Sequence, residues 1–296
     1  MAWIPCPERN RGRVVSATTS HGRLSLNQAT IKYATLSEAL QVAVDAGYRS
    51  IGLWREPVQE VGLDRAVDLV ADSGLRVSSL CRGGFFTVAS GPERDRALDD
   101  NRRALEEAHR LGTEILVLVC GGLPAGDRDL VGARERVRDA IGALAGDAAD
   151  AGVTLALEPL HPMYAADRAV INTLGQALDI AEQFPAEAVG VVVDTFHLWW
   201  DPEVIAQIAR AGRERITSYQ VCDWITPLPA DNLLARGVPG DGHIDFGPIT
   251  AAVAATGYAG DVECEIFNAD VWDRPFAEVA ALVADRYHAL IEPHLP

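Results

Sequence analysis

The 296-residue sequence has little positive charge, and almost none of that charge is lysine. It contains 26 Lys and Arg against 42 Asp and Glu, a net charge of −16, and Lys32 is its only lysine. A field of this sign repels phosphate backbones and anionic membrane surfaces. The composition therefore excludes nucleic acid and membranes as expected partners.

Long apolar runs and paired cysteines are also missing. No run approaches the ~20 residues that a transmembrane helix needs, and the N-terminus lacks the apolar stretch of a signal peptide. The cysteines are odd in number, without CxxC spacing, and mostly lie in or just after apolar runs, which predicts reduced core thiols in a soluble cytoplasmic protein. They are Cys6, Cys81, Cys120, Cys222 and Cys264.

A short apolar run followed by a longer helical pattern repeats eight times along the chain. Such runs are typical of parallel strands that helices cover on both faces. The predicted strands are 24–27, 50–53, 76–80, 115–119, 154–157, 189–193, 216–221 and 261–266. The predicted helices are 36–46, 63–73, 94–111, 130–151, 173–184, 202–211, 248–256 and 276–290.

Glycine follows six of the predicted helices, as expected of residues that end a helix in the left-handed conformation. These are Gly47, Gly74, Gly112, Gly152, Gly212 and Gly257. No GxGxxG motif follows a predicted strand, which argues against a dinucleotide-binding sheet. The eight units predict an α/β fold, a (β/α)8 TIM barrel forming one domain over residues 23–296, with an N-terminal extension over residues 1–22.

Polar side chains lie where the last four predicted strands end: Glu158, Asp194, Gln220 and Glu265. In a barrel these ends converge, and three carboxylates buried together need a cation between them. Oxygen ligands suit Mn²⁺, Mg²⁺ or Co²⁺. The alternative is that each carboxylate caps a helix or pairs with one of the many arginines.

A histidine follows two of these residues at a spacing of three, His161 after Glu158 and His197 after Asp194. An imidazole at the mouth can bind a hydroxyl, polarise a carbonyl or relay a proton, so we predict that both are catalytic. Two alternatives stay open: His197 as a hydrogen-bond partner of Asp194, and His161 as a structural loop residue before Pro162.

Five segments resemble a known family in order and spacing: LEPLHP, VDTFH, SYQVCDW, RGVPGDGHIDFGPI and ECEIF. The sequence is similar to the sugar phosphate isomerase/epimerase group of xylose isomerase-like TIM barrels. That group includes inosose isomerases and dehydratases, ketose 3-epimerases and 3-dehydroshikimate dehydratases. The resemblance covers nearly the whole chain and is most specific over residues 154–267.

The resemblance implies a divalent metal held by Glu158, Asp194, Gln220 and Glu265, with the two glutamates also acting as acid and base. Gln220 stands where the family more often has histidine, although some dehydratases look similar here. Its amide oxygen favours Mn²⁺, our first expectation, or Mg²⁺ over Zn²⁺.

Further residues are expected to bind substrate. His197 and Arg236 match substrate-binding positions of the family, and His243 lies in the distinctive turn that follows. On other loops of the mouth, Arg55 could attract an anion, and aromatic residues such as Trp54 and Phe85 suit a sugar ring or an aromatic group. Residues 82–84, Arg-Gly-Gly, read either as a backbone anion cradle or as a tight turn.

The implied activity is that of a metal-dependent isomerase or epimerase of a sugar, ketose or inosose. A carboxylate removes the proton beside a carbonyl and a metal stabilises the enediolate. The alternative is a lyase that expels a β-substituent after the same step: a dehydratase of an inosose or a dehydroshikimate-like compound, or an enzyme that cleaves a 3-keto-C-glycoside with a small second subunit.

Two other classes are considered. An endonuclease of this fold would need more histidines and a DNA-binding face, and a non-catalytic binding protein would keep the metal without turnover. The expected partner is a small carbohydrate-like molecule. Homo-oligomers are common in this fold family, and the sequence does not fix the oligomeric state.

Overall fold

The computed structural model describes residues 21–296, and its centre is a closed barrel of eight parallel strands. Each strand pairs with the next barrel strand along the chain, and the last barrel strand pairs with the first. The predicted single TIM barrel is therefore confirmed. Most of the predicted N-terminal extension, including Cys6, lies outside the described residues.

The strands of the barrel agree closely with the predicted runs. They are β1 Leu24–Asn27, β2 Ser50–Trp54, β3 Arg76–Gly84, β4 Ile115–Val119, β5 Thr154–Leu157, β6 Val189–Asp194, β7 Ile216–Val221 and β10 Val262–Cys264. Two-residue strands β8 (Asp223–Trp224) and β9 (Arg236–Gly237) form an antiparallel ribbon after β7.

Eight longer helices cover the barrel, and their ends carry the expected signals. They are α1 Leu36–Asp45, α3 Leu63–Ser73, α4 Pro92–Arg110, α5 Leu130–Ala151, α6 Leu174–Ala181, α8 Val204–Arg215, α9 Phe246–Ala255 and α11 Phe276–Leu290. Thr35 and Glu38 form a capping box at the start of α1, and the six predicted helix-ending glycines all have positive φ. Gly212 lies inside the bounds of α8 and interrupts that helix with a non-helical conformation. Local sequence therefore sets most helix boundaries.

The structure adds three short helices that periodicity did not predict: α2 Arg55–Val61, α7 Thr195–Leu198 and α10 Ala269–Trp272. It also corrects the interpretation of residues 82–84 as a loop, because β3 continues through Gly84. The backbone N–H of Gly84 donates to Asn101 Oδ1 at 2.7 Å and is not available to an anion. Glycine weakens a strand pattern in sequence, and so the prediction ended β3 at residue 80.

The described cysteines match the expectation of buried thiols. Cys81, Cys120, Cys222 and Cys264 are buried free thiols, and burial raises the pKa of each. In the part of the chain that the structure covers, no helix combines the length and apolarity needed to cross a membrane.

The barrel interior is unusually polar on one side. Small apolar residues fill the other side, namely Cys81, Val117, Ala156 and Val192. TIM barrels commonly fill this space with branched apolar side chains. Here Glu263 on β10 accepts hydrogen bonds from Asn27 on β1 and from Ser78 and Ser79 on β3, across the lumen. A buried carboxylate thus forms part of the core.

Gly52 on β2 makes room for that carboxylate. A Cβ added at Gly52 would lie 2.5 Å from the carboxyl carbon of Glu263. The oxygens of that carboxyl group accept hydrogen bonds from β1 and β3, the two strands on either side of β2. The close approach explains why glycine occupies a strand interior at this position.

We therefore expect Gly52→Ala to destabilise the protein by about 1–3 kcal/mol, the usual cost of overpacking a core. Urea unfolding followed by circular dichroism would measure the change. Gly146→Ala in α5 is the matched control, since an added Cβ there has no neighbour within 4 Å among the described residues. The control should stabilise by up to about 1 kcal/mol. Equal effects of the two substitutions would contradict the packing argument.

Candidate metal centre and active site

The ends of four adjacent barrel strands bring the predicted site residues together. Glu158 follows β5, Asp194 ends β6, Gln220 lies in β7 and Glu265 follows β10. All four are buried, at no more than 4% exposed. In the pairing of β6 with β7, Asp194 lies opposite Gln220. The convergence expected of parallel strands is therefore realised.

A single guanidinium lies between two of these carboxylates. Arg236 Nη1 is 3.1 Å from Asp194 Oδ2 and 2.7 Å from Glu265 Oε2. Its side chain is buried between the rings of Phe196 and Phe267, whose centres lie 5.0 and 5.3 Å away. Arg236, predicted to bind substrate, thus also supplies positive charge to the acidic group.

Asp194 makes both contacts that the sequence offered as the alternative to a metal site, because it caps a helix and pairs with an arginine. Its Oδ1 accepts a hydrogen bond from the N–H of Phe196 at 2.7 Å and so caps α7, while Oδ2 faces Arg236. The cap fixes the rotamer and points the second oxygen into the site. A capping role is therefore compatible with metal binding.

Glu158, Asp194 and His197 form a compact group of ligand atoms that all lie within 4.8 Å of one another. His197 Nε2 is 3.7 Å from Glu158 Oε1 and 3.8 Å from Asp194 Oδ2. His197 thus joins the candidate metal group, although the sequence indicated it only for substrate binding and catalysis. The set of Glu158, Asp194, Gln220 and Glu265 stays a prediction.

The donor chemistry of this group fits a divalent cation. Glu158 Oε1 and Gln220 Oε1 are buried and have no hydrogen-bond partner within residues 21–296. Buried polar atoms are nearly always satisfied, and a hard cation satisfies carboxylate and amide oxygens. The residues present therefore suit a divalent metal ion.

Burial governs the protonation of the carboxylates. It raises the pKa of Glu158 well above its usual range, with a further increase from the nearby charges of Glu265 and Asp194. It raises the pKa of Glu265 to about 7, although Arg236 opposes the shift. The pKa of Asp194 is also raised by burial and held down by Arg236. The two glutamates therefore have different environments, as an acid and base pair requires.

His197 is a neutral ring with donors on both sides. Its Nδ1 accepts from the backbone N–H of His161 at 3.1 Å, and Arg236 Nη2 lies 2.9 Å from Nε2. Burial, and then the charge of Arg236, lower the pKa of His197 well below its usual value. A neutral imidazole accepts at one nitrogen only. Nε2 can therefore accept from Arg236 or bind a metal only in the tautomer that carries its hydrogen on Nδ1, and in that tautomer Nδ1 does not accept from His161.

His161 belongs to an aromatic wall beside the metal group. Its ring lies 4.7 Å from that of Trp224 and 5.5 Å from that of Trp200, and its Nδ1 accepts from the N–H of Met163 at 3.2 Å. Burial lowers the pKa of His161 to about 4. The neutral ring has a loop-structural contact and still faces its aromatic neighbours, so both interpretations of His161 stay open.

A second aromatic group includes two predicted substrate-binding residues, Trp54 and Phe85. Arg82 lies over both rings, 5.9 Å from the centre of Trp54 and 4.7 Å from that of Phe85. Phe85 is 46% exposed and has a φ of 63°, which is rare for a residue with a side chain. An exposed ring held in this conformation is a candidate contact for substrate.

Two other predicted substrate-binding residues make contacts elsewhere. Arg55 is buried and paired with Asp100 at 2.8 Å and Glu107 at 2.5 Å on α4. His243 lies on an exposed turn with Nε2 2.8 Å from Thr226 Oγ1. The structure does not bring either residue into the acidic group, and their binding role stays a prediction.

Glu263 and Asn27, which lie one layer below the metal group, were not among the predicted site residues. Glu263 precedes Glu265 by two residues, so both side chains point into the barrel, and that spacing was the available signal. Apart from that spacing, nothing in the sequence pattern distinguishes a glutamate buried inside the barrel from a glutamate exposed on the edge of a sheet.

This chain belongs to the xylose isomerase-like TIM barrel family, whose model matches residues 40–286. It is 30% identical over 79% of its length to a 3-dehydroshikimate dehydratase of Pseudomonas putida, and spans about a third (36%) of that protein. It is also 27% identical to an L-ribulose 3-epimerase of Mesorhizobium japonicum and to an inosose isomerase of Halalkalibacterium halodurans. Each of these two matches covers 48% of this chain; it covers 44% of the epimerase and 50% of the isomerase. The relatives are therefore enzymes of more than one reaction type.

Solved structures agree with the fold. A protein of Sinorhizobium meliloti 1021 has 46% identity and a TM-score of 0.88, with 92% of this chain and 99% of that chain covered. The IOLI protein with a bound zinc atom has 21% identity and a TM-score of 0.81, with the same coverage. The second likeness concerns the fold alone.

The raised glutamate pKa values predict how stability of the metal-free protein depends on pH. The folded state holds the protons of Glu158 and Glu265 more tightly than the unfolded chain, where the glutamate pKa is near 4.5. The stability contributed by this difference is present below that value and is lost as pH rises through the folded pKa, about 7 for Glu265.

We expect the melting temperature in a chelator to fall between about pH 5 and about pH 8, and to fall less in Glu265→Gln. Added Mn²⁺ should raise it more at the higher pH, since metal and protons compete for the carboxylates. Differential scanning calorimetry across this range gives the measurement. A difference between the two proteins that does not vary with pH would contradict the assignment.

Proposed function

We propose that this protein is a divalent-metal-dependent enzyme that removes the proton beside a carbonyl group and then expels water. The observation that carries the proposal is the buried group of Glu158, Asp194 and His197, with a carboxylate oxygen of Glu158 lacking a partner in the described chain. Charged groups are buried in this way mainly at functional sites. The substrate class is a cyclic hydroxy-ketone such as 3-dehydroshikimate.

Glu158, Asp194, Gln220 and Glu265 would hold the metal, with Mn²⁺ or Mg²⁺ preferred by their oxygen atoms. When bound, the ion supplies positive charge that stabilises the oxyanion formed on proton removal. Arg236 donates to Glu265 and lies 2.9 Å from His197, and these two residues would hold the substrate's hydroxyl groups. The aromatic wall of His161, Trp200 and Trp224 would exclude water from one side.

The unequal environments of the two glutamates favour elimination over epimerisation. Glu265 is held by Arg236 at 2.7 Å, whereas Glu158 Oε1 has no hydrogen-bond partner in residues 21–296. Epimerisation needs two groups that exchange a proton across opposite faces of one carbon. Elimination needs one base, and a different group that protonates the departing hydroxyl.

The relatives support the same choice. The matches of higher identity and coverage are 3-dehydroshikimate dehydratases of two Pseudomonas species, each over 79% of this chain. The epimerase and isomerase relatives match 48% of it. The isomerase or epimerase that the sequence argument put first therefore becomes the second candidate.

The test is incubation of the Mn²⁺-loaded protein with 3-dehydroshikimate. Loss of water would give an aromatic dihydroxybenzoic acid, which ultraviolet absorbance follows directly. We expect Glu158→Ala to reduce the rate by about 10²–10⁴-fold, because a positioned acid or base contributes that much. Glu106→Ala, an exposed glutamate of α4, is the control and should retain full activity.

A parallel incubation distinguishes the second candidate function from the first. With a ketose or an inosose in deuterated water, an isomerase or epimerase would incorporate deuterium at carbon with no loss of water. That result, together with no dehydration of 3-dehydroshikimate, would overturn the dehydratase proposal in favour of the isomerase. Failure to bind Mn²⁺ would overturn both.

A further inference from the structure

A fully hydrogen-bonded carboxylate lies in the barrel directly beneath the candidate metal group. Glu263 on β10 is 1% exposed. Its Oε1 accepts from Asn27 Nδ2 at 2.6 Å, and its Oε2 accepts from Ser78 Oγ at 2.6 Å and Ser79 Oγ at 2.9 Å. The Asn27 NH₂ group can only donate, so Oε1 must accept, and the two serine hydroxyls can donate to Oε2.

The direction of the Asn27 amide is fixed independently of Glu263. Asn27 Oδ1 accepts from the backbone N–H of Ala29 at 2.8 Å and from Trp54 Nε1 at 2.9 Å. Both partners are obligate donors, so the oxygen of the amide must face them and the NH₂ group must face Glu263. Glu263 Oε1, which is the oxygen that also faces Gln220, is therefore an acceptor.

Gln220 connects this lower layer to the metal group. It lies opposite Glu263 in the pairing of β7 with β10 and opposite Asp194 in the pairing of β6 with β7. Its Nε2 donates to Glu263 Oε1 at 3.5 Å, and its Oε1 is buried without a hydrogen-bond partner among residues 21–296. Turning the amide over would place two acceptor oxygens against each other.

We propose that Glu263 is a positioning residue that holds the amide of Gln220 with Oε1 directed at the metal group. The inference rests on the proposed function, since it takes Gln220 as a metal ligand. Without Glu263, the amide could present its NH₂ group to the metal, and an NH₂ group is no ligand. Residues that orient metal ligands in this way typically contribute 10–100-fold in metal affinity.

A purely structural role for Glu263 makes a different prediction. It also fills the space beside Gly52, so a substitution could loosen the whole barrel and weaken metal binding regardless of the residue at position 220. A positioning role affects metal binding only while residue 220 is an amide, because an amide can turn its NH₂ group toward the metal. A carboxylate at position 220 would present an oxygen to the metal in both orientations.

The experiment is therefore a double-substitution cycle read by Mn²⁺ binding to the metal-free full-length protein, with the free ion measured by electron paramagnetic resonance. The four proteins are the unsubstituted protein, Glu263→Met, Gln220→Glu and the double variant. Glutamine at position 263 would keep an oxygen toward the Asn27 and Gln220 amides, whereas methionine removes the acceptor. We expect Glu263→Met to raise the Mn²⁺ dissociation constant by about 10–100-fold when Gln220 is present. In the Gln220→Glu background the same change should leave the constant within about twofold or lower it, since a carboxylate needs no orientation.

Equal losses of affinity in both backgrounds would overturn the proposal in favour of a structural role. No loss with Gln220 present would overturn it as well. Glu263→Leu replaces Glu263→Met if the latter does not fold, and Glu263→Gln, which keeps an acceptor toward Asn27 and Gln220, should retain the affinity. Retention of Mn²⁺ by Glu158→Ala would instead show that the metal site itself is wrong, which separates failure of the proposed function from failure of this inference.

Discussion

The burial of four carboxylates inside one barrel is the constraint on which the rest of this structure depends. Each carboxylate is stabilised differently. Arg236 forms ion pairs with Asp194 and Glu265, and amide and hydroxyl groups donate hydrogen bonds to Glu263. Glu158 keeps one oxygen without a partner in the described residues, and this oxygen is the one nearest His197. Glu158 is thus the carboxyl group whose ionised form has the least compensation from the protein, and a divalent cation at this point would stabilise that form.

Much of the fold could be predicted because its signals are local and repeated. Eight apolar runs, and helices that end at residues such as Gly74 and Gly152, indicate parallel strands in a closed barrel without any knowledge of contacts. The short helices α2, α7 and α10 could not be predicted, because one or two turns are too few to establish a period. The end of β3 was misplaced for another reason: Gly83 and Gly84 look like a turn, yet they pair with β4.

The candidate site was predictable where a polar residue ended a strand, and not where the arrangement depends on the far side of the barrel. Glu158, Asp194 and Glu265 stood out as carboxylates next to apolar runs. Arg236 was expected at the mouth, but its position between Asp194 and Glu265 depends on the ribbon of β8 and β9. The contact of Glu263 with Ser78 joins residues 185 positions apart, and no local pattern encodes such a distance.

The glycine at position 52 has an evolutionary consequence. Because its missing side chain is the space that the Glu263 carboxylate occupies, the two positions cannot drift independently. A lineage that replaced the glutamate by a short residue would be free to acquire alanine or serine on β2, whereas one that kept the glutamate would retain the glycine. Covariation of positions 52 and 263 across homologues would therefore show which branches of the family have kept a carboxyl group at this place inside the barrel.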